Sequence, residues 1–249
     1  MHIKILQWNV WNEEGVGNII RFVKKVNPDI ACFQELVVGG KWNKYEDVPK
    51  KIANELHFYY AFFPAQKQPN EKGEQFPFGN GIFSRFPIKA VFSRHVQKEM
   101  PYTGNYSTLG RIYGEVRVAV PGKRALVVGT THTSYTKRFV TTPAKRKEAD
   151  ALLSILRRKK RNFIFTGDLN ASPRSYTIEN IQRYLKHCGP DFRENTWTTK
   201  PFDYRGFRET KLRWRLDYVF ATKDVKVLSS RIPKTKYSDH LPILLEIDV

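Results

Sequence analysis

Cysteine is scarce in this chain, and acidic side chains are outnumbered by basic ones. Cys32 and Cys188 are the only cysteines in 249 residues, which excludes a disulfide framework and a cysteine-rich zinc site. No run of 18 apolar residues and no signal-peptide pattern occurs, so we expect a soluble, cytoplasmic protein. Lys and Arg number 43 against 24 Asp and Glu, a formal net charge of +19. This excess indicates polyanionic partners, namely nucleic acid, anionic lipid or phosphorylated small molecules.

The first 35 residues predict a strand, a helix and a second strand. Residues 3–10 form a compact apolar run, and residues 16–23 then carry apolar side chains at helical spacing. A second buried strand follows over residues 29–33. A crossover of this kind joins parallel strands, so it brings Asn9 and Glu35 to neighbouring strand ends.

Further along the chain the pattern predicts many short strands. Residues 64–77 are rich in Gln, Asn, Lys and Pro and predict an exposed, mobile loop. Short runs separated by turn residues over 79–131 predict antiparallel pairing. The later elements expected are a helix after Pro143, a strand over 163–165, a helix near 175–187 and strands near 213–221, 224–230 and 241–248. The pattern predicts an α/β fold of the α+β kind, a single domain over residues 1–249 with two packed sheets flanked by helices.

Polar residues stand at the predicted ends of five strands. They are Asn9, Glu35, His132, the run Gly167, Asp168, Leu169 and Asn170, and the run Ser238, Asp239 and His240. Mg²⁺ (or Mn²⁺) needs oxygen ligands and keeps several waters, so Glu35 and Asp239 suffice to hold it. Asp168 can deprotonate a water, and Asn170 can hydrogen-bond a phosphate oxygen. Together these residues indicate metal-assisted phosphate chemistry.

Each of these residues, taken singly, also has a structural explanation. Glu35 alone would be a surface carboxylate, and the runs after the last two strands would be polar turns. His132 alone is better explained as a structural histidine. His240 needs a partner to fix its tautomer, and Asp217 is the best-placed candidate, since a carboxylate behind the ring keeps the imidazole cationic.

The motifs, in their order along the chain, resemble those of the endonuclease/exonuclease/phosphatase superfamily, the deoxyribonuclease I-like fold. The matching segments are Trp8–Asn9, Gln34–Glu35, Gly81–Pro87, Thr131–His132, Gly167–Asn170, Arg215–Phe220 and Ser238–His240. The resemblance implies a four-layer sandwich, with two central mixed or antiparallel β-sheets flanked by helices and a divalent metal at one edge.

The resemblance also implies a role for each matching residue. Glu35 binds the metal with Asp239 beside it, Asn9 and Asn170 hold the scissile phosphate, Asp168 activates the nucleophile, and Asp217 with His240 stabilises the developing charge. The leaving oxygen takes a proton from water at the metal or from His132. Chemistry alone allows Asp168 or His240 as the base, and we favour Asp168, with His240 charged.

Loops around the expected site interleave basic and aromatic residues. Those expected to contact substrate are Arg111, Lys137, Arg205, Arg208 and Trp214, since cations meet backbone phosphates and aromatic rings stack on bases. We therefore expect a monomeric, Mg²⁺-dependent phosphodiesterase acting on nucleic acid, with DNA favoured. A DNase or an enzyme that removes a 5′ adduct such as phosphotyrosine fits best. Abasic-site endonucleases usually carry Asp and Gly after the first Asn motif, which this chain lacks, so that branch is less favoured.

Two rival functions remain open. A sphingomyelin or phospholipid phosphodiesterase would need an exposed apolar loop, and Trp42 or Phe76 with Phe78 are the candidates for it. The long loops are charged, and this argues against contact with a membrane. A catalytically silent nucleic-acid binder would keep its affinity after Asp168→Asn and would hydrolyse nothing. For the basic run 157–161, solvated charges that complement a helix dipole are the preferred explanation.

Overall fold

Two six-stranded mixed β-sheets form the centre of the fold in the computed structural model, which describes residues 1–69 and 73–249. In chain order the strands are β1 (His2–Asn9), β2 (Ile30–Val37), β3 (Tyr59–Pro69), β4 (Gln75–Ser84), β5 (Ile88–Gln97), β6 (Arg111–Val118), β7 (Leu126–His132), β8 (Phe163–Asp168), β9 (Lys186–His187), β10 (Phe202–Tyr204), β11 (Phe207–Glu209), β12 (Asp217–Ala221), β13 (Lys226–Arg231) and β14 (Ile243–Asp248). The α-helices are α1 (Val16–Val26), α2 (Val48–Leu56), α3 (Pro143–Leu156) and α4 (Tyr176–Gln182).

Each sheet contains one parallel pair of strands among antiparallel ones. The first sheet has the order β13-β14-β1-β2-β4-β3, with β1 and β2 parallel. The second has the order β5-β6-β7-β8-β12-β9, with β7 and β8 parallel. Strands β10 and β11 form a separate hairpin. The predicted crossover of the first 35 residues and the antiparallel pairing of β5, β6 and β7 are confirmed.

The sheets pack face to face, and helices cover their outer faces. Between the sheets lies a core of aliphatic side chains, to which Ile5 and Cys32 of the first sheet and Val128 of the second contribute. On the outer face of the first sheet α1 and α2 pack against aromatic residues such as Trp8, and α3 and α4 cover the second sheet in the same way. The four-layer sandwich is confirmed.

Strands buried on both faces explain why residues 3–10 read as one continuous apolar run. Ile3 and Ile5 point into the core between the sheets, whereas Leu6 and Trp8 point toward the helices. The period of two in a strand thus places alternate side chains in two different apolar layers. Three polar residues interrupt this run: Lys4, which is partly exposed, and Gln7 and Asn9, which are fully buried.

Side-chain caps fix where helices α2 and α3 begin. Asp47 accepts a hydrogen bond from the Lys50 backbone N–H at the start of α2, and Thr142 accepts one from Lys145 N–H at the start of α3. Such caps satisfy a backbone N–H that has no partner within the helix. None of the described helices is both long and apolar enough to cross a membrane.

Three of the expected elements are wrong in extent. Most of the predicted loop over 64–77 is strand, because β3 and β4 form a long hairpin; residues 70–72 lie outside the described part. The expected helix over 175–187 ends at Gln182. The strand expected from residue 213 begins at Asp217, and the β10–β11 hairpin before it was not predicted.

Candidate active site

Strand register brings the predicted site residues to one edge of the sandwich. Asn9, at the end of β1, pairs in register with Gln34, beside Glu35. In the second sheet, Asp168 at the end of β8 is the register partner of both His132 and Asp217. The Asn9 amide then joins the two sheets, because its Nδ2 donates to Glu35 Oε1 and to Asp168 Oδ2, at 3.0 Å each.

His240 lies between two buried aspartates. Its Nδ1 is 2.8 Å from Asp217 Oδ2, and its Nε2 is 3.6 Å from Asp168 Oδ2. Burial alone would lower the pKa of His240, but the carboxylates of Asp217, Asp168 and Asp239 raise it well above its ordinary value. His240 is therefore an imidazolium at neutral pH, in agreement with the predicted pairing with Asp217.

The loop that carries His240 is fixed to the first sheet. Ser238 Oγ donates to the backbone carbonyl of Asn9 at 2.7 Å, and the Trp8 indole N–H donates to the carbonyl of His240 at 3.0 Å. Asp239 accepts a 2.8 Å hydrogen bond from the Trp197 indole N–H at Oδ2. These contacts hold residues 238–240 against the end of β1.

Glu35 is turned toward the cleft by an irregularity in β2. The register of β2 against β4 shifts between Phe33 and Leu36, and Glu35 has a left-handed φ of 62°. A non-glycine residue in this region costs of order 1 kcal/mol and is typical of functional sites. Burial, and next the charge of Asp239, raise the pKa of Glu35 to about 7.

Asp168 is almost completely enclosed, with 1% of its surface exposed. Its Oδ1 accepts the Asn170 backbone N–H at 2.9 Å, and its Oδ2 lies 3.4 Å from His132 Nε2. Burial raises the pKa of Asp168 to about 6, against the lowering effect of the His240 charge.

His132 differs from His240 in its electrostatics. Burial, together with the charges of Arg111 and His240, lowers the pKa of His132 well below its ordinary value. The Asn170 amide approaches His132 Nε2 at 3.1 Å, and His132 Nδ1 is buried with no partner among the described residues. His132 is thus a neutral imidazole, and this argues against its predicted role as the proton donor.

Both site asparagines already use their amide protons. Asn9 Nδ2 holds Glu35 and Asp168, and Asn170 Nδ2 contacts His132 and donates to the Thr133 carbonyl at 3.0 Å. A contact of either amide with the scissile phosphate, as the sequence resemblance implies, would require one of these bonds to break. In this geometry the asparagines orient the ionisable groups.

These side chains line a cleft of about 450 Å³. Its polar lining includes Glu35, Asp168, Asp239, His132, His240 and Asn170, and Arg111 lies among them. Arg111 is only 3% exposed, and its Nε has no partner within the described chain, although one terminal nitrogen donates to the Tyr106 carbonyl at 3.0 Å. Aromatic walls are formed by Trp11, Tyr102, Tyr106, Tyr135, Trp197 and Tyr204.

Of the five residues predicted to contact substrate, Arg111 alone lines the cleft. Arg208 and Trp214 line a separate depression, while Lys137 and Arg205 are exposed and line neither. Trp214 packs against Phe139 at 4.8 Å between ring centroids. Trp214 therefore supports a wall of the cleft from behind.

No supporting role was predicted for two buried polar groups next to the site. Gln34 donates to Gln7 Oε1 at 3.1 Å and to Thr130 Oγ1 at 2.9 Å, and Gln7 Nε2 lies 3.4 Å from Asp217 Oδ1. This network crosses the space between the sheets directly beneath Asp217. A glutamine inside an otherwise apolar strand is the signal in the sequence that could have identified it.

The second group is the buried pair of Lys145 and Glu148 on α3. Lys145 Nζ donates to Thr133 Oγ1 at 2.6 Å and to the Leu169 carbonyl at 3.0 Å, and the Glu148 carboxylate accepts the Ser134 N–H at 2.9 Å. Burial lowers the pKa of Lys145 to about 8. The pair fixes the segments that follow His132 and Asp168.

The charge distribution indicates where a divalent cation fits. Among the described residues, ligand atoms of Asp168, Asp217 and His240 lie within 4.8 Å of one another. An imidazolium is a poor metal ligand, and its charge already compensates those two carboxylates. Glu35 and Asp239, in contrast, form no ion pair with any described residue. Burial, and next the charge of Asp239, raise the pKa of Glu35, and a bound cation would favour its ionised form, so Glu35 and Asp239 fit such an ion better.

The chain belongs to the endonuclease/exonuclease/phosphatase family, whose model matches residues 6–240. The family acts on phosphoester bonds, so the protein is a hydrolase of that class. A curated DNA-(apurinic or apyrimidinic site) endonuclease of Dictyostelium discoideum is 24% identical over 282 residues, spanning 99% of this chain and 71% of the relative.

Solved structures confirm the fold, and the proteins that share it are named for different substrates. The structure of D. rerio TDP2 complexed with a single-strand DNA product has a TM-score of 0.70 at 18% identity, covering 100% of this chain and 99% of that one. The mannosyl-6-phosphatase Bt3783 of Bacteroides thetaiotaomicron has a TM-score of 0.69 at 17% identity, covering 99% of this chain and 100% of that one. The fold alone therefore does not identify which phosphoester is the substrate.

Proposed function

We propose that the protein is a divalent-metal-dependent phosphodiesterase that hydrolyses nucleic acid. A DNase, or a DNA-end phosphodiesterase that removes a 5′ adduct such as phosphotyrosine, fits the cleft best. The observation that carries this proposal is the set of groups in one cleft: a buried carboxylate, an imidazolium beside it, a buried arginine with an unpaired donor, and aromatic walls. Attack of water on a phosphodiester needs a base and positive charge at the phosphate oxygens.

Asp168 is the base in this proposal. A carboxylate with a pKa of about 6 is ionised at neutral pH and accepts a proton more readily than an ordinary aspartate does. Hydrogen bonds from Asn9 and from the Asn170 backbone fix the orientation of Asp168. A water held by Asp168 Oδ2 would transfer its proton to that oxygen as its own oxygen attacks phosphorus. The P–O bond to the leaving group would then break, and the leaving oxygen would take a proton from solvent water.

His240 and Arg111 supply the positive charge. The imidazolium of His240 faces the cleft, and Asp217 behind it keeps the ring protonated and oriented. The Nε of Arg111 has no partner among the described residues and could donate to a phosphate oxygen. A divalent cation held by Glu35 and Asp239 would add Lewis-acid stabilisation of a phosphate oxygen, with Mg²⁺ or Mn²⁺ as the candidates.

The cleft walls favour nucleic acid over smaller esters. Tyr106 and Tyr204 stack with their ring centroids 4.3 Å apart, and both line the cleft. Lys200 Nζ lies 4.0 Å from the centre of the Trp11 ring at the same cleft. Aromatic faces beside cations are suited to bases and their phosphates. The DNA-related names of two similar proteins support the same choice.

Lipid is a weaker alternative. Phe78 is only 5% exposed and Phe76 is half-buried, so they do not form an exposed apolar loop. The side chain of Trp42, the other candidate, lies outside the described residues. A phosphomonoesterase is a stronger rival, because a sugar phosphatase shares the fold. An abasic site also stays among the substrates to be tested, because the curated relative is named for it.

A substrate panel tests the proposal. Purified protein is incubated with Mg²⁺ or Mn²⁺ and with plasmid, single strands, abasic duplex, 5′-phosphotyrosyl oligonucleotide, poly(A), sphingomyelin liposomes and mannose 6-phosphate. We expect turnover of at least one DNA substrate, and its loss with chelator or with Asp168→Asn. Turnover restricted to mannose 6-phosphate or to the liposomes would reject a nuclease.

We further propose that residues 1–249 form one domain and act as a monomer in the cytoplasm. The shared core between the sheets supports the first point, because neither sheet could bury its inner face alone. The sedimentation coefficient would test the second, and fluorescence microscopy of a tagged protein the third.

A further inference from the structure

A second concave surface lies next to the active-site cleft and carries three arginines. This basic depression, of about 640 Å³, is lined by Arg138, Gly206, Phe207, Arg208, Glu209, Thr210, Arg213 and Trp214. It is built from the β10–β11 hairpin, the segment after it, and the short 3₁₀ turn over Lys137–Phe139. The hydrolytic chemistry proposed for the cleft assigns no role to the basic depression.

The charge of the basic depression is not balanced by ion pairs among the described residues. Arg213 Nε pairs with Glu209 Oε1 at 3.2 Å. Glu209 also accepts hydrogen bonds from the Thr210 N–H and from the Trp214 indole N–H, at 2.9 Å each, so its carboxylate is already satisfied. Arg138 and Arg208 are exposed, and neither forms an ion pair with a described residue. Asp203 is the register partner of Arg208, but the two form no ion pair. The surface therefore presents two guanidinium groups without an ion-pair partner among the described residues.

One layer of aromatic side chains separates the basic depression from the cleft. Phe139, which lines the cleft, packs against Trp214 at 4.8 Å and Phe207 at 6.1 Å between centroids, and both of these line the depression. Arg138 has a left-handed φ of 54° and is exposed, whereas Phe139 beside it is 3% exposed. The same short turn thus contributes an arginine to one surface and a wall to the other.

We propose that the basic depression binds the phosphate backbone of a nucleic-acid strand whose scissile phosphate lies in the cleft. This inference rests on the proposed function and extends it, since a small phosphate ester would fill the cleft without reaching Arg138 or Arg208. Guanidinium groups make charge-assisted hydrogen bonds to phosphate oxygens. Each such contact releases a counterion that was bound to the nucleic acid. Contacts in the depression would therefore strengthen the binding of a polymeric substrate and not that of a small ester.

The test measures binding of a 5′-fluorescein-labelled single strand of 20 thymidines by fluorescence anisotropy at several salt concentrations. The Asp168→Asn protein serves as background so that the strand is not cleaved. One variant adds Arg138→Gln and Arg208→Gln. The matched control adds Arg157→Gln and Arg158→Gln, two exposed arginines that precede β8 and so lie at the end of the sheet opposite Asp168.

We expect the Arg138/Arg208 variant to raise Kd on the order of tenfold, and to reduce the slope of log affinity against log salt by roughly 0.7 for each lost phosphate contact. The control should change Kd less than twofold. Equal losses in both variants, or no loss in either, would overturn the inference. Arg208→Gln alone provides the same comparison if the double variant is poorly folded.

Failure of the proposed function is a separate outcome. Hydrolysis of bis(p-nitrophenyl) phosphate by the wild-type protein reports the cleft without the depression. If that ester is cleaved and no nucleic acid is, the nuclease proposal fails, whereas the anisotropy comparison still decides whether the depression binds a strand.

Discussion

Replacing Glu35 by Gln should stabilise the metal-free protein at neutral pH and abolish its response to metal. The wild-type carboxylate lies beside Asp239 and Asp168 with no ion-pair partner among the described residues, and burial raises its pKa from 4.5 to about 7. A folded-state pKa above the unfolded value means that ionising Glu35 destabilises the fold. That loss begins near pH 4.5 and is complete above pH 7. Gln removes the charge but keeps an oxygen that can accept from Asn9.

The magnitude follows from the pKa difference. About 7 minus 4.5 is roughly 2.5 units, and about 1.36 kcal/mol per unit gives about 3 kcal/mol as an upper limit. Because the shift is shared with the neighbouring carboxylates, about 1–3 kcal/mol is the expected range. In a chain of this length each kcal/mol corresponds to roughly 2–4 °C in Tm. The variant should therefore melt roughly 2–12 °C higher at pH 8 in chelator.

Differential scanning fluorimetry at pH 4.5 and pH 8, with EDTA or with Mg²⁺, provides the comparison. The gain from Glu35→Gln should be present at pH 8 and absent at pH 4.5, where wild-type Glu35 is protonated in the folded state. Mg²⁺ should raise the Tm of the wild-type protein and leave the variant unchanged. Asp47→Asn removes a carboxylate at the α2 cap and serves as a control that keeps the metal response. A lower Tm for Glu35→Gln at both pH values, or a retained response to Mg²⁺, would refute the assignment.

Three other perturbations have defined outcomes. The value of kcat/KM should rise as pH increases through about 6, where Asp168 loses its proton; a flat profile between pH 5 and 7 would exclude Asp168 as base. Asp217→Asn removes the carboxylate 2.8 Å from His240 Nδ1, so the pKa of His240 should fall and the alkaline limb of the pH profile should move to lower pH; an unmoved limb would contradict this. Lys145→Met leaves Glu148 unpaired in the interior, and we expect a loss of about 3 kcal/mol in the free energy of unfolding, measured by urea titration. Adding Glu148→Gln should restore part of that loss, and no difference between single and double variants would mean that the pair is not coupled.

The parts of the fold that could be predicted depend on local pattern. Residues 1–35 combine a strand, a helix and a strand within one crossover, and the apolar runs mark all three. The part of the β3–β4 hairpin within residues 64–77 was missed because its polar residues and prolines are typical of loops. β3 lies at the edge of its sheet, where Pro64 and Pro69 are tolerated because one side of the strand needs no partner.

The short hairpin of β10 and β11 was missed for a different reason. Its strands have three residues each, too few for a periodic pattern. The turn between them is formed by Arg205 and Gly206, with φ values of 46° and 73°. Two successive left-handed residues ending in glycine are typical of a two-residue hairpin turn. That dipeptide was the one available signal.

The candidate site was predictable in its ionisable residues but not in their support. Glu35, Asp168 and His240 stand in short motifs whose order is informative. Lys145 lies in a helix segment crowded with charged residues, and nothing in that segment distinguishes the one buried lysine from its exposed neighbours. Its burial depends on carbonyl groups after β7 and β8, distant in sequence.

The most direct test of the central claim is the rate of bis(p-nitrophenyl) phosphate hydrolysis, with Mg²⁺ or Mn²⁺ present, by the wild-type and Asp168→Asn proteins. If the strand-end residues form one hydrolytic centre with Asp168 as base, the wild-type protein turns over and kcat falls by roughly 10²–10⁴ in the variant. Equal rates for the two folded proteins would contradict that claim.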